Sequence, residues 1–168
     1  QNVLAGFVEV PLSGVFADGT HVVSARLSDR AGNSGSRSAN LTVLIDTAAP
    51  SASPPVLTAA SDSGASSSDR ITSVVRPTFS GTGVNGQRID MYNGSGFLGS
   101  TTVADGVWSY TALADLGDGS HQIRSKTVDL AGNESSFSSS VAVTIDTLRP
   151  ADPTFDENVM FKNSITGK

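Results

Sequence analysis

Asp118-Gly-Ser-His-Gln-Ile-Arg-Ser-Lys-Thr-Val-Asp-Leu-Ala-Gly-Asn133, running on to Val141-Ala-Val-Thr-Ile-Asp-Thr-Leu-Arg-Pro150, is the stretch whose reading decides the fold. It occurs twice. The other copy is Asp18-Gly-Thr-His-Val-Val-Ser-Ala-Arg-Leu-Ser-Asp-Arg-Ala-Gly-Asn33, running on to Leu41-Thr-Val-Leu-Ile-Asp-Thr-Ala-Ala-Pro50, at an offset of 100 residues with no gap. A period of that size is too long for a solenoid unit and matches one sandwich domain of about 100 residues. Each copy holds two short β-rich runs separated by an Asp-x-Ala-Gly-Asn turn, where Gly and Asn tolerate positive φ.

Composition narrows the reading. Short Val/Ile runs set among Gly, Ser and Thr, with no apolar residues at helical spacing over a long window, predict an all-β chain. With no cysteine there is neither disulfide nor thiol chemistry. The formal charge of −5 argues against a nucleic-acid partner, which needs a basic face, and is compatible with divalent cations. No stretch approaches the ~20 apolar residues of a membrane helix, so no membrane insertion is expected. The chain opens on no signal peptide, as expected of an internal fragment or of export by a C-terminal signal.

Outward from the decisive stretch, 1–46 reads as the C-terminal half of one domain. Gly6-Phe-Val-Glu-Val10 aligns with Gly106-Val-Trp-Ser-Tyr110. A strand with His21, Val23, Ala25 and Leu27 on one face follows, then one with Leu41, Val43 and Ile45 inward. These are three strands of a sandwich that needs about seven. Residues 47–55, with Pro50, Pro54 and Pro55, form a semi-rigid extended linker.

A complete domain is counted over 56–146. Its strands lie near 55–59, 77–83, 87–92 with Ile89 and Met91 inward, 97–103, the Trp108 and Tyr110 strand, 121–128 and 138–145. Each is expected to run antiparallel to the last. Asn93-Gly-Ser-Gly96 signals a hairpin, and Ala104-Asp-Gly106 a tight turn. The polar loop Asp62–Asp69 is expected to bury nothing. Residues 147–168 repeat the linker and start a further repeat or tail.

Catalysis needs a nucleophile, a base and an orienting group in one cleft. The only histidines, His21 and His121, recur at one position of two copies, which favours a structural role bonding to the local turn. No enzyme is expected. The aspartates are more informative. Strand polarity gathers Asp62, Asp69, Asp115, Asp118 and Asp146 at the C-terminal pole. It brings Asp105, Asp129 and Asn133 toward Asp46 at the other. Ca²⁺ takes six to eight oxygens of the kind such loops supply, so Asp46, Asp62, Asp69, Asp129 and Asp146 are the candidate ligands. The competing reading is that each aspartate only bonds its own turn, and Asp129 is the most ambiguous. Tyr92 and Phe97 near a hairpin could offer aromatic surface to a sugar.

Several of these motifs fall in order: Asp62-Ser-Gly64, Asp69-Arg-Ile-Thr72, Arg76-Pro-Thr-Phe-Ser-Gly-Thr-Gly83, Asp118-Gly-Ser-His121, Asp129-Leu-Ala-Gly-Asn133 and Ile145-Asp-Thr-Leu-Arg-Pro150. Together they resemble the bacterial immunoglobulin-like tandem repeats of large surface adhesins and biofilm proteins. The resemblance covers 51–150 fully and 1–50 as a second half. It implies an immunoglobulin-like antiparallel β-sandwich in tandem repeats, type I secretion of the RTX-like kind, and calcium at domain junctions. The expected role is a spacer in an extracellular, cell-surface protein, with neighbouring Ig-like repeats as partners. The alternatives are a glycan- or protein-binding module, or an accessory domain of a secreted hydrolase. In a bacterial chain the triplets at Asn40, Asn93 and Asn133 are set aside as glycosylation sites. Strand pairing with another copy through 1–46, with Thr154–Phe161 as a donated strand, is a further expectation.

Overall fold

The computed structural model of the chain describes residues 14–154. Two sheets of the expected sandwich are assembled from 56–145. One joins β5 (Val56–Leu57), β7 (Thr78–Thr82) and β10 (Val107–Thr111) in the order β10-β7-β5. The other joins β6 (Ile71–Thr72), β8 (Arg88–Asn93), β9 (Gly96–Thr102), β11 (Gly119–Val128) and β12 (Val141–Ile145) in the order β6-β12-β11-β8-β9. Phe79, Trp108, Tyr110 and Leu57 from the first sheet meet Ile89, Met91, Ile123, Val143 and Ile145 from the second. Each fully buried aliphatic or aromatic side chain contributes about 1.5–3 kcal/mol. Alternation along the strands brings this about: on β10 Trp108 and Tyr110 are buried while Val107, Ser109 and Thr111 are exposed.

Trp108 lies opposite Gly81 on β7, and a Cβ at Gly81 would fall 2.6 Å from the indole. Glycine there is a packing requirement. Tyr110 crosses between the sheets, its hydroxyl donating to the Leu98 carbonyl at 2.7 Å. The hairpin at Asn93 forms as expected, with Asn93 paired to Gly96 and Gly94 at φ 57°. Asp105 and Gly106 both take positive φ, the pattern of a type I′ turn.

Three expectations are corrected. The strands do not all alternate in direction, because β6, unread in the sequence, runs parallel to β12. After β5 the chain crosses to the other sheet, and the two residues Ile71 and Thr72 extend its edge. The loop before it does bury side chains: Asp62 is 5% and Ser61 6% exposed. Hydroxyls make this possible. Thr72 Oγ1 donates to the Ser61 carbonyl at 2.6 Å, Ser61 Oγ accepts from Thr78 N, and Ser63 Oγ accepts from Ser73 N. Such bonds remove the cost of burying polar groups. Finally, the proline stretch is seated in the domain. Pro55 is fully buried, and the Ser53 carbonyl accepts from Ser125 Oγ at 2.8 Å.

In the N-terminal copy, β1 (Gly19–Val23) pairs with β4 (Leu41–Ile45) in the register that β11 makes with β12, Gly19 to Ile45 as Gly119 to Ile145. The single strand expected over 21–28 is broken. β2 (Arg26–Ser28) pairs separately with β3 (Ser34–Arg37). β11 is held on both edges, by β12 and β8, whereas β1 is paired only with β4 among the described residues. The inward positions keep their alternation but are wetter. Val43 and Ile45 are half-buried, and Leu27 and Leu41 are 85% and 64% exposed, because no second sheet faces them among the described residues. The strand expected over Gly6–Leu12 and the proposed donor segment beyond Thr154 lie outside the described residues.

Candidate functional site

The aspartates occupy three separate settings. At the end of β12, Asp118 Oδ1 accepts from both Thr147 N and Thr147 Oγ1 at 2.9 Å, and Asp146 Oδ1 accepts from Leu148 N. The N-terminal copy repeats these bonds with Asp18, Thr47, Asp46 and Ala48. The side chain of the residue after Ile-Asp thus ties the exiting chain to the turn before β11 or β1. Asp118–Thr147 is a closure that the sequence reading did not assign, although its recurrence at Asp18–Thr47 was visible.

The second setting is the loop before β6. Asp69 Oδ1 accepts from Ile71 N, and Asp62 Oδ2 accepts from Arg70 N at 3.1 Å, where Arg70 takes φ 63°. Asp62 Oδ1 is buried and has no hydrogen-bond partner. A cleft beside it is lined by Pro54, Leu57, Ser67, Ser68, Arg70 and Val141. The expected single C-terminal cluster therefore divides. Because β6 is parallel to β12, with Ile71 beside Thr144, Asp69 precedes the level at which β12 ends in Asp146. Asp115 is held apart by Arg76.

The third setting is the junction between the copies. Asp129 Oδ1 accepts from Ala131 N and Asn133 N, and its Oδ2 accepts from Asn133 Nδ2 at 2.9 Å. The Asn133 side-chain bond is the main reason that the Asp129 carboxyl sits below its ordinary value, and the same bond from Asn33 does this for Asp29. Asn133 Nδ2 also donates to the main-chain carbonyl of Asp46 at 3.0 Å. Asp46 and Asp129 line one groove with Leu44, Val84, Gln87, Leu130 and Ala131. The expected meeting of Asp129 and Asn133 with Asp46 is present, and Asp105 does not line that groove. Among the described residues, no three His, Cys, Asp or Glu side chains come together as a metal-binding group.

The histidines are structural in geometry. His121 Nε2 donates to the Gly117 carbonyl at 2.8 Å, while its Nδ1 takes the Asn93 amide. His21 Nε2 donates likewise to the Ala17 carbonyl. Among the described residues neither ring is hydrogen-bonded to a serine or threonine hydroxyl. Tyr92 meets Phe97 and Phe137 edge to face, and the Arg124 guanidinium lies 3.7 Å from the Phe137 ring centre. Phe137, from the loop after β11, packs on Tyr92 but is itself 38% exposed, and Phe97 stays 61% exposed.

The two-sheet core, with its entry at Pro50 and its exit at Thr147, is the unit that the family comparison recognises: the model of the bacterial Ig-like domain matches residues 50–147. The chain belongs to the bacterial Ig-like domain family. No curated protein matches it. The match begins at Pro50, where the seated proline stretch begins, rather than at Val56. Bacterial Ig-like domains are generally non-catalytic structural modules of extracellular or surface proteins. Among the described residues, no helix is long and apolar enough to cross a membrane.

Proposed function

We propose that this Ig-like domain is a spacer repeat of a bacterial cell-surface adhesin, one of a tandem array that projects a distal binding region from the cell. The observation that carries the reading is the 100-residue recurrence of one strand–turn–strand unit, with its β-register and its Asp–Thr closure both repeated. A chain of like domains with seated linkers adds a fixed length per repeat. Extracellular placement and export by type I secretion follow from this reading.

Calcium stiffening is part of the proposal, and Asp62 is the residue that fits it best. A buried carboxylate with an idle oxygen is costly unless a cation or donor sits beside it. Asp62 and Asp69, with hydroxyls and carbonyls of their loop, would hold the ion. Asp46, Asp69, Asp129 and Asp146 each spend a carboxylate oxygen on a local amide, which makes them weaker candidates than Asp62 with its idle oxygen. Extracellular modules bind calcium with Kd of roughly 10⁻⁴–10⁻³ M, so millimolar calcium would add on the order of 1 kcal/mol. Melting curves of the full chain in EDTA and in excess calcium are expected to differ by several degrees, and Asp62→Ala to remove most of that shift. Coincident curves with no heat of binding would end the calcium proposal while leaving the spacer reading intact.

A further inference from the structure

The copies meet at a hydrogen bond whose two partners both recur in the sequence. Asn133 Nδ2 carries two hydrogens, and both are used. One donates to Asp129 Oδ2, which holds the turn, and the other donates to the Asp46 carbonyl, 87 residues earlier in the chain. Asparagine suits this place because a single side-chain nitrogen supplies both donors. An aspartate there would set a carboxylate against a carbonyl oxygen. The turn that aims it is fixed by three further bonds: Asp129 Oδ1 takes the amides of Ala131 and Asn133, and the Asn133 carbonyl takes Asp129 N.

On the acceptor side, the Asp46 carboxylate bonds the amide of Ala48, and its main-chain carbonyl accepts from Asn133. Asp146 makes the same turn with Leu148. Asn33 is held as Asn133 is, by Asp29, and among the described residues its Nδ2 donates only there. Each copy thus has the donor at one pole and the acceptor at the other, the arrangement of a head-to-tail contact. The apolar part of the junction does not recur: Arg30 stands where Leu130 lines the groove, and Thr144 where Leu44 does. The polar pair is the common element.

We infer that the Asn133 side-chain amide, donating to the Asp46 carbonyl, fixes the angle between the two copies. This rests on the spacer reading. It adds the residue that converts two linked domains into a fixed direction.

The chain has no cysteine, so Ala39→Cys and Ser120→Cys place two spin labels at exposed sites, one on each copy. In the full chain, the distance distribution by pulsed electron resonance is expected to be narrow. Asn133→Ala is expected to widen it at least about twofold, and Asn133→Asp, which keeps the shape and loses the donor, to widen it too. Asn33→Ala is the control, since it removes the equivalent bond within the turn and leaves the junction alone. It should keep the narrow distribution. An Asn133→Ala or Asn133→Asp distribution as narrow as that of Asn33→Ala overturns the inference and spares the spacer reading. A broad distribution in the chain carrying only the labels overturns the spacer reading itself.

Discussion

Asp129 shows how one residue carries a turn. Asn133 and the amides around it favour its ionised form, so its carboxyl titrates below the ordinary 3.8. The unfolded chain therefore takes up the proton before the folded one does. The stabilisation is complete above about pH 4 and is lost as the pH falls through 3.8 and on through the lower folded value. Asp129→Asn, which keeps the size and loses the charge, should melt earlier than the parent at pH 7. The two should converge as the pH is lowered toward 2. A constant gap between their melting temperatures across that range would mean that the charge contributes nothing. The residue was legible as a turn former because Asp, Gly and Asn stand at fixed spacing in both copies. The reach of Asn133 to Asp46 was not, since it depends on how two distant strand ends are brought together. Asp62 was legible as an aspartate in a polar loop, but its burial was not. Its burial accompanies that of Ser61 and Thr72, whose hydroxyls are bonded inside the same region, and Ser-rich loops give no periodic signal of which side chains will be internal.

Among the elements, period-two alternation was enough to place Ile89, Met91, Trp108 and Tyr110 inside, and the Asn93-Gly94 pair was enough to place the hairpin. It was not enough for β6, whose two residues are too short for any pattern, nor for the break between β1 and β2. β11 and the 21–28 stretch align without a gap but share only the histidine over these eight positions, and only β11, paired on both edges, is continuous. Beyond the point where β12 has left that edge, Ser138 Oγ accepts from Ser125 N, as Ser38 Oγ does from Ala25 N, and Ser135 Oγ accepts from Thr127 N, where the other copy has Gly35. Tyr110 does comparable work between the sheets. Tyr110→Phe keeps the ring packed on Gly99 and deletes the hydroxyl's bond to the Leu98 carbonyl. It should cost about 0.5–1.5 kcal/mol in urea unfolding with an unchanged slope. A loss outside that range, or a changed slope, would show that the hydroxyl holds more than this one carbonyl.

Over the whole molecule, recurrence at 100 residues was the most informative signal, because it set the domain size before any strand was assigned. What it could not supply was the seat of the linker. Prolines read as a spacer between domains, whereas Pro55 and the Ser53 carbonyl belong to the packing of the one that follows. The parallel pairing of β6 with β12 has a mechanical consequence. When the chain is pulled by its two ends and β5 has parted from β7, tension on the N-terminal side draws β6 backward from Arg70, and tension on the C-terminal side draws β12 forward from Asp146. The two strands then slide past each other, so the bonds from Thr144 N to the Arg70 carbonyl and from Asp146 N to the Thr72 carbonyl are loaded together in shear. An antiparallel hairpin pulled at its open end would instead break its bonds in succession. In single-molecule stretching, Ile71→Pro, at a half-exposed edge position, should disturb β6 while leaving the buried Thr72 hydroxyl and its bonds in place. It is expected to lower the rupture force of this domain proportionally more than its equilibrium stability. A domain that yields at unchanged force would place the resisting contact elsewhere. A domain built this way meets a pull along its length with bonds that must break together rather than one after another.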